Sequence, residues 1–176
     1  MKIGICGTMS VGKTTLVEAL EKSGKFPNYT FATERSKYLN DLGIPLNTDS
    51  TLKGQIIFLA ERCAELINEN IITDRTIIDV LAFTSVAKSI SFNDYDDFET
   101  LALKVLKDYD YIFYVDPENI PMEDNGVREV DLEFRKDIDD VIYALLDRWD
   151  HCIKNLHTIK GTTEERVEQI LHITGS

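Results

Sequence analysis

The stretch Met1-Lys2-Ile3-Gly4-Ile5-Cys6-Gly7-Thr8-Met9-Ser10-Val11-Gly12-Lys13-Thr14-Thr15-Leu16 decides the fold of this chain. Met1–Cys6 reads as a short apolar strand. Gly7 through Thr14 is a complete G-x-x-x-x-G-K-T. From Lys13 to Ser23 the pattern turns helical, with Leu16, Val17 and Leu20 on one face. In such a strand–loop–helix unit the glycines let the loop curl until successive backbone N–H groups converge on a phosphate. Lys13 brings a positive charge to the β- and γ-phosphates, Thr14 a hydroxyl to Mg²⁺, and the helix its positive dipole end. The expected phosphate contacts are Gly7, Met9, Ser10, Val11, Gly12, Lys13, Thr14 and Thr15. The pattern therefore predicts a purine nucleoside triphosphate with Mg²⁺.

Working outward, short β-type runs alternate with helical periodicity. Strands are expected at 29–32, 71–73, 111–115 and 157–160, with helices at 34–42, 52–68, 78–89, 98–106, 133–149 and 163–172. The amphipathic helix of 52–68 is the clearest, with Ile56, Leu59, Cys63, Leu66 and Ile67 at three- and four-residue steps. Alternating strands and helices imply an α/β, doubly wound parallel sheet. A length of 176 residues, with no repeat or Pro/Gly/Ser-rich linker, predicts one domain over 1–176. Ligands of such sheets lie beyond the C-terminal strand ends, so those positions are where chemistry is sought.

The net charge of −12 lies wholly in the second half: residues 1–88 hold ten bases and ten acids, residues 89–176 nine bases and twenty-one acids. That balance disfavours non-specific binding to polyanions and attachment to anionic membrane surfaces. No apolar run reaches the ~18–20 residues of a membrane span. Cys6, Cys63 and Cys152 are odd in number and widely spaced, which fits reduced thiols and a cytoplasmic protein.

Two strand ends deliver an acid followed by an arginine: Thr33-Glu34-Arg35 and Thr73-Asp74-Arg75. One acid can accept the proton of an attacking hydroxyl while the other holds Mg²⁺, and the arginines can neutralise phosphate. Past the fourth strand, a Gly-hinged stretch bearing Arg128 leads into a helix with Arg135, a pattern that suits a basic lid over about 117–135. Tyr38 and Phe58 are candidates to stack on a base. No Asn-Lys dipeptide occurs, which removes the base-reading motif of a GTPase. The chain is too short for a motor or a large AAA+ machine.

Gly7–Thr14, Phe31–Arg35, Gln55, Thr73–Thr76 and the Asp124–Arg128 and Phe134-Arg135 stretches together resemble one family. It is the small P-loop kinase-like AAA proteins related to the ribosylnicotinamide kinase domain of bacterial NAD-biosynthesis regulators, with similarity to phage-type nucleoside and nucleotide kinases. The resemblance spans residues 1 to about 170. It implies a five-stranded parallel sheet in the order 2-3-1-4-5, with ATP and Mg²⁺. It also implies that Glu34 serves as the base and that Asp74 and Arg75 lie by the metal and phosphates, although these base and metal roles are open to exchange. Gln55 would line the acceptor pocket, and Gly161-Thr162-Thr163 would lie against adenine.

The expectation is thus a Mg-ATP-dependent kinase acting on a hydroxyl of a nucleoside or nucleotide. Lys13, Glu34, Asp74, Arg75 and Arg128 would be catalytic; Thr14 and Asp74 would hold the metal. Glu34, Arg35, Tyr38, Gln55 and Arg135 would meet the acceptor. Two alternatives stand beside it: a kinase for hydroxymethyl-pyrimidine in phage DNA, and an ATP-binding switch that transfers nothing. For the DNA reading, Lys22, Lys25, Arg35, Lys37 and Lys53 would have to form a basic track. No membrane contact is expected, and a homodimer is the expected form of any oligomer.

Overall fold

A computed structural model of the chain describes residues 1–33, 35–118 and 132–176. Five parallel strands form one sheet: β1 (Lys2–Cys6), β2 (Thr30–Ala32), β3 (Ile71–Asp74), β4 (Tyr111–Val115) and β5 (Leu156–Ile159), in the order β2-β3-β1-β4-β5. This is the order the resemblance implied. β1 lies in the middle of the sheet, covered on both faces, and its Ile3, Ile5 and Cys6 are buried. A strand buried on both faces has to be a continuous apolar run rather than an alternating one.

The helices are α1 (Lys13–Lys22), α2 (Ser36–Asp41), α3 (Leu52–Glu65), α4 (Ile77–Ser85), α5 (Phe92–Leu106), α6 (Leu132–Trp149) and α7 (Thr163–Thr174). They divide the apolar core in two. On one face Leu16, Val17 and Leu20 of α1 pack with Ile170 of α7 against Ile3, Ile5, Ile72, Phe113 and Val115. On the other, α3, α4, α5 and α6 enclose Leu59, Ile78, Leu81, Ala102, Ile138 and Ile142. The two clusters meet at the loop after β1, which sends Met9 into one and Val11 into the other. An apolar anchor on each side holds that loop against the end of the sheet.

α5 starts six residues earlier than the periodicity alone predicts. Ser91 caps it by accepting a hydrogen bond from the Asp94 backbone N–H, and its hydroxyl donates to the Asp94 carboxylate at 2.7 Å. The Asp94–Glu99 run is therefore the opening of a helix. Glu99 within it is buried, receiving the Tyr95 hydroxyl, the Trp149 indole N–H and Arg148. No helix among the described residues is long and apolar enough to cross a membrane.

Candidate active site

Parallel pairing of β1 with β3 sets Ile5 beside Asp74, so the loop after β1 and the Asp74-Arg75-Thr76 turn emerge side by side. The first loop bends through φ values of 151° at Gly7, 56° at Ser10 and 82° at Gly12. Gly12 occupies the N-cap position of α1 in left-handed backbone, where it supplies no side chain to cap the helix. The positive dipole end of α1 thus faces the loop with no capping side chain in front of it, the setting in which a helix start binds an anion. Thr15 is exposed on that first turn, whereas Gly7, Met9, Val11 and Lys13 are buried. The Lys13 ammonium donates to the carbonyls of Gly7 and Thr8 at 2.6 and 2.7 Å, curling back over the loop that carries it.

Thr14 and Asp74, sixty residues apart, meet directly: the Thr14 hydroxyl donates to Asp74 Oδ2 at 2.5 Å. Asp74 is 1% exposed, yet its Oδ1 has no hydrogen-bond partner among the described residues. Its backbone carbonyl accepts from Arg62 Nη1 on α3 at 2.8 Å, and Arg62 also binds Glu65 at 2.5 Å. Burial pushes the Glu65 carboxyl up to about 7 against the opposing pull of Arg62, with Glu61 and Asp74 raising it further. A buried carboxylate oxygen without a donor, next to a threonine hydroxyl, is a hard-oxygen pair of the kind Mg²⁺ takes. No group of three His, Cys, Asp or Glu side chains among the described residues forms a metal cage. A cation here would draw its other ligands from phosphate and water, as Mg²⁺ usually does.

Arg75 follows in left-handed backbone, φ 80°, with its N–H on the Ile5 carbonyl at 2.9 Å. Its guanidinium lies 4.9 Å from the Phe83 ring centroid. At the end of β2, Arg35 is half-exposed, pairs with Glu61 of α3 at 3.4 Å, and stacks 4.6 Å over the exposed Tyr38 ring. Gln55 is buried on α3, one residue past the Gly54 that receives the Thr51 cap. Phe58 is half-buried against the core one helical turn later. Arg135 is buried on α6, and burial holds its guanidinium below the usual range against the pull of Asp139. Glu34, Arg128 and most of the expected lid lie outside the described residues.

Sequence reasoning missed three contacts that grip the phosphate loop from elsewhere, two of them from residues it had not singled out, Asp79 and Arg166. Asp79 of α4 accepts from the Gly7 N–H at 3.2 Å. The Thr8 hydroxyl donates to the Arg135 backbone carbonyl at 2.9 Å. Arg166 of α7, 4% exposed, donates to the Val11 carbonyl at 2.9 Å. Burial lowers the Arg166 pKa, with Asp116 opposing. Only Asp79 left a local signal, because Thr76-Ile77-Ile78-Asp79 is a capping box ahead of an apolar run.

A family model described as AAA domain matches residues 2–166, nearly the whole of this architecture. The chain belongs to the AAA domain family. Among solved structures, this AAA domain is similar to deoxyadenosine kinase from M. mycoides, with a TM-score of 0.73 and 20% identity over 99% of this chain and 98% of that one. It is also similar to the NadR protein in complex with NR, with a TM-score of 0.77 and 17% identity over 99% of this chain and 52% of that one. Thymidylate kinase from Ehrlichia chaffeensis gives a TM-score of 0.66 and 17% identity over 99% of this chain and 98% of that one. At these identities the likeness is one of fold: a P-loop kinase sheet. No curated protein matches the chain.

Proposed function

We propose that this AAA domain is a phosphotransferase that moves the γ-phosphate of ATP to a hydroxyl of a nucleoside or nucleotide. The observation that carries the reading is the Thr14–Asp74 contact beside the phosphate loop, with Asp74 Oδ1 buried and unpartnered among the described residues. A threonine hydroxyl and a strand-end acid placed together are what a P-loop needs to hold the Mg²⁺ that manages charge on a transferring phosphoryl group. In support, the similar folds include proteins whose structures were solved with dCTP, with NR, and with NAD and AMP-PNP.

Phosphoryl transfer asks a protein chiefly for positioning and charge. In this reading Gly7–Thr15 wrap the triphosphate. Lys13 leaves the Gly7 and Thr8 carbonyls for β/γ oxygens and, with Arg75 and Arg128, carries the negative charge that spreads over the equatorial oxygens. Thr14 and Asp74 would hold Mg²⁺, which when bound neutralises phosphate charge. Glu34 takes the proton of the acceptor hydroxyl. Arg35, Tyr38, Gln55 and Arg135 meet the acceptor, Arg135 from the helix that receives the Thr8 hydroxyl. One domain covers the chain, and it acts in the cytoplasm.

A small acceptor fits better than a polymer. Of the five bases a DNA track would use, Lys22 pairs with Glu18 at 3.6 Å and Arg35 with Glu61, which spends their charge locally. Polyanion affinity depends on such charges being free for phosphates. The test is radiolabelled ATP with a panel of nucleosides, nucleotides, and normal or hydroxymethylated DNA, using Lys13→Ala as the control. Label in a nucleoside or mononucleotide product is expected. Label only in polymer would overturn the choice of acceptor, and no label in any acceptor would overturn the enzyme reading.

A further inference from the structure

Asp79 is a carboxylate with no solvent exposure, and it makes three hydrogen bonds to two different strand-end loops. Oδ2 accepts from the Thr76 N–H at 2.7 Å and the Thr76 hydroxyl at 2.9 Å. The first of these bonds belongs to the capping box that opens α4, and the second joins the same two side chains. Oδ1 turns the other way, to the Gly7 N–H at 3.2 Å. Helix capping accounts for Oδ2 and leaves Oδ1 unexplained.

The Oδ1 contact fastens the first residue of the phosphate loop to the turn that carries Asp74 and Arg75. There is almost no slack at this junction. A side chain on Gly4, directly beneath, would come within 2.4 Å of Thr76 Cγ2 and 2.8 Å of the Tyr109 ring. Gly7 is crowded too, with its Cβ position 3.1 Å from the Val115 carbonyl oxygen. Lys13 donates to Gly7's own carbonyl, so the peptide units on both sides of Gly7 are hydrogen-bonded within this cluster. Burial raises the nearby Cys6 thiol, Asp79 raises it further and Lys13 lowers it, as expected if both buried charges lie around this strand end.

We propose that Asp79 is a positioning residue: its carboxylate sets the register between the phosphate loop and the Asp74-Arg75 turn, and so the affinity of the site for nucleoside triphosphate. This rests on the phosphotransferase reading. Electrostatics alone predicts the opposite sign, which makes the idea testable. Removing a buried negative charge near a polyanion site should tighten triphosphate binding if nothing moves. Removing a positioning contact should weaken it.

The test compares Asp79→Asn, Asp79→Glu and Thr76→Val with wild type by direct titration of a fluorescent ATP analogue and by thermal unfolding. The Asn side chain can serve Thr76 with its oxygen, but then points its NH₂ at the Gly7 N–H, donor to donor. Asp79→Glu keeps a residue suited to the capping box while moving the carboxylate off Gly7, so one of the pair remains informative if the other folds poorly. Thr76→Val removes the hydroxyl of the cap and leaves the Gly7 contact alone. Expected are Asp79→Asn and Asp79→Glu binding about tenfold weaker or more, the scale of one lost charged hydrogen bond. Thr76→Val should lose thermal stability with its affinity within twofold of wild type. Unchanged or tighter binding in the Asp79 variants, or equal weakening in Thr76→Val, would overturn the proposal. Wild-type protein that binds no analogue at all would instead overturn the phosphotransferase reading beneath it.

Discussion

The two halves of the candidate site are built to different standards. On the phosphate side, Gly7–Lys13 is held by Asp79 from α4, the Arg135 carbonyl from α6 and Arg166 from α7, with Met9 and Val11 sunk in separate apolar clusters. On the proposed acceptor side, β2 has only three residues, none of them buried, and Arg35 and Tyr38 lie exposed, Arg35 pairing with Glu61 and stacking on Tyr38. The difference is one of permitted error. Phosphoryl transfer tolerates little misplacement of the charges around the γ-phosphate, while the exposed Arg35 and Tyr38, unlike the buried Gln55, can be exchanged without disturbing that geometry. On the proposed function, acceptor choice is therefore the property this scaffold can change most easily.

The sharpest way to break this comparison is Lys13→Ala, expected to lower turnover by on the order of 10³ or more in a steady-state assay, since it removes the central phosphate charge. Near-normal turnover would show that the tightly held half is only structural. Next in size, Glu34→Gln and Asp74→Asn are each expected to cost ~10²–10⁴ in kcat. If Glu34→Gln alone retains full turnover, the base role passes to Asp74. On the loosely held side, Arg35→Ala and Tyr38→Ala should raise the acceptor KM by about tenfold or less, with kcat for ATP use and thermal stability nearly unchanged, as for exposed positions generally. A loss of stability there comparable to a core truncation would erase the contrast.

The smallest effect concerns pH. Burial raises Glu65 to about 7, above its ordinary value, so the folded protein favours its protonated form. That contribution to stability is present in full below the unfolded-state pKa and is lost as pH rises through about 7. Denaturant midpoints should therefore fall between about pH 5 and 7.5, and Glu65→Gln should remove part of that fall. An identical pH profile in the variant would show that Glu65 ionises normally beside Arg62.

Much of the fold was legible because its signals are local. Gly7–Thr14 announces itself in eight residues, and the alternation of apolar runs with helical periodicity implied parallel strands, whose order followed from the resemblance. Asp74 and Arg75 could be singled out because they close a strand. What escaped was long-range and polar. The Arg166–Val11 bond spans 155 residues and the Thr8–Arg135 bond 127, and an arginine on an amphipathic helix looks like any solvated arginine until the fold buries it. The early start of α5 was missed for a different reason: Phe92-Asn93-Asp94-Tyr95 carries no apolar period, and the Ser91 cap decides its boundary.

Arg75 adopts a backbone conformation that glycine or asparagine would occupy with less strain, and a left-handed arginine costs roughly 1–2 kcal/mol. Stacking on Phe83 offsets part of that. Heat resistance and the phosphate role proposed for Arg75 therefore pull this codon in opposite directions. A population of variants propagated under thermal challenge alone, with no demand for turnover, should drift toward glycine or asparagine at position 75. The same population required to make product should hold arginine there and gather its stabilising changes on the outer faces of the helices.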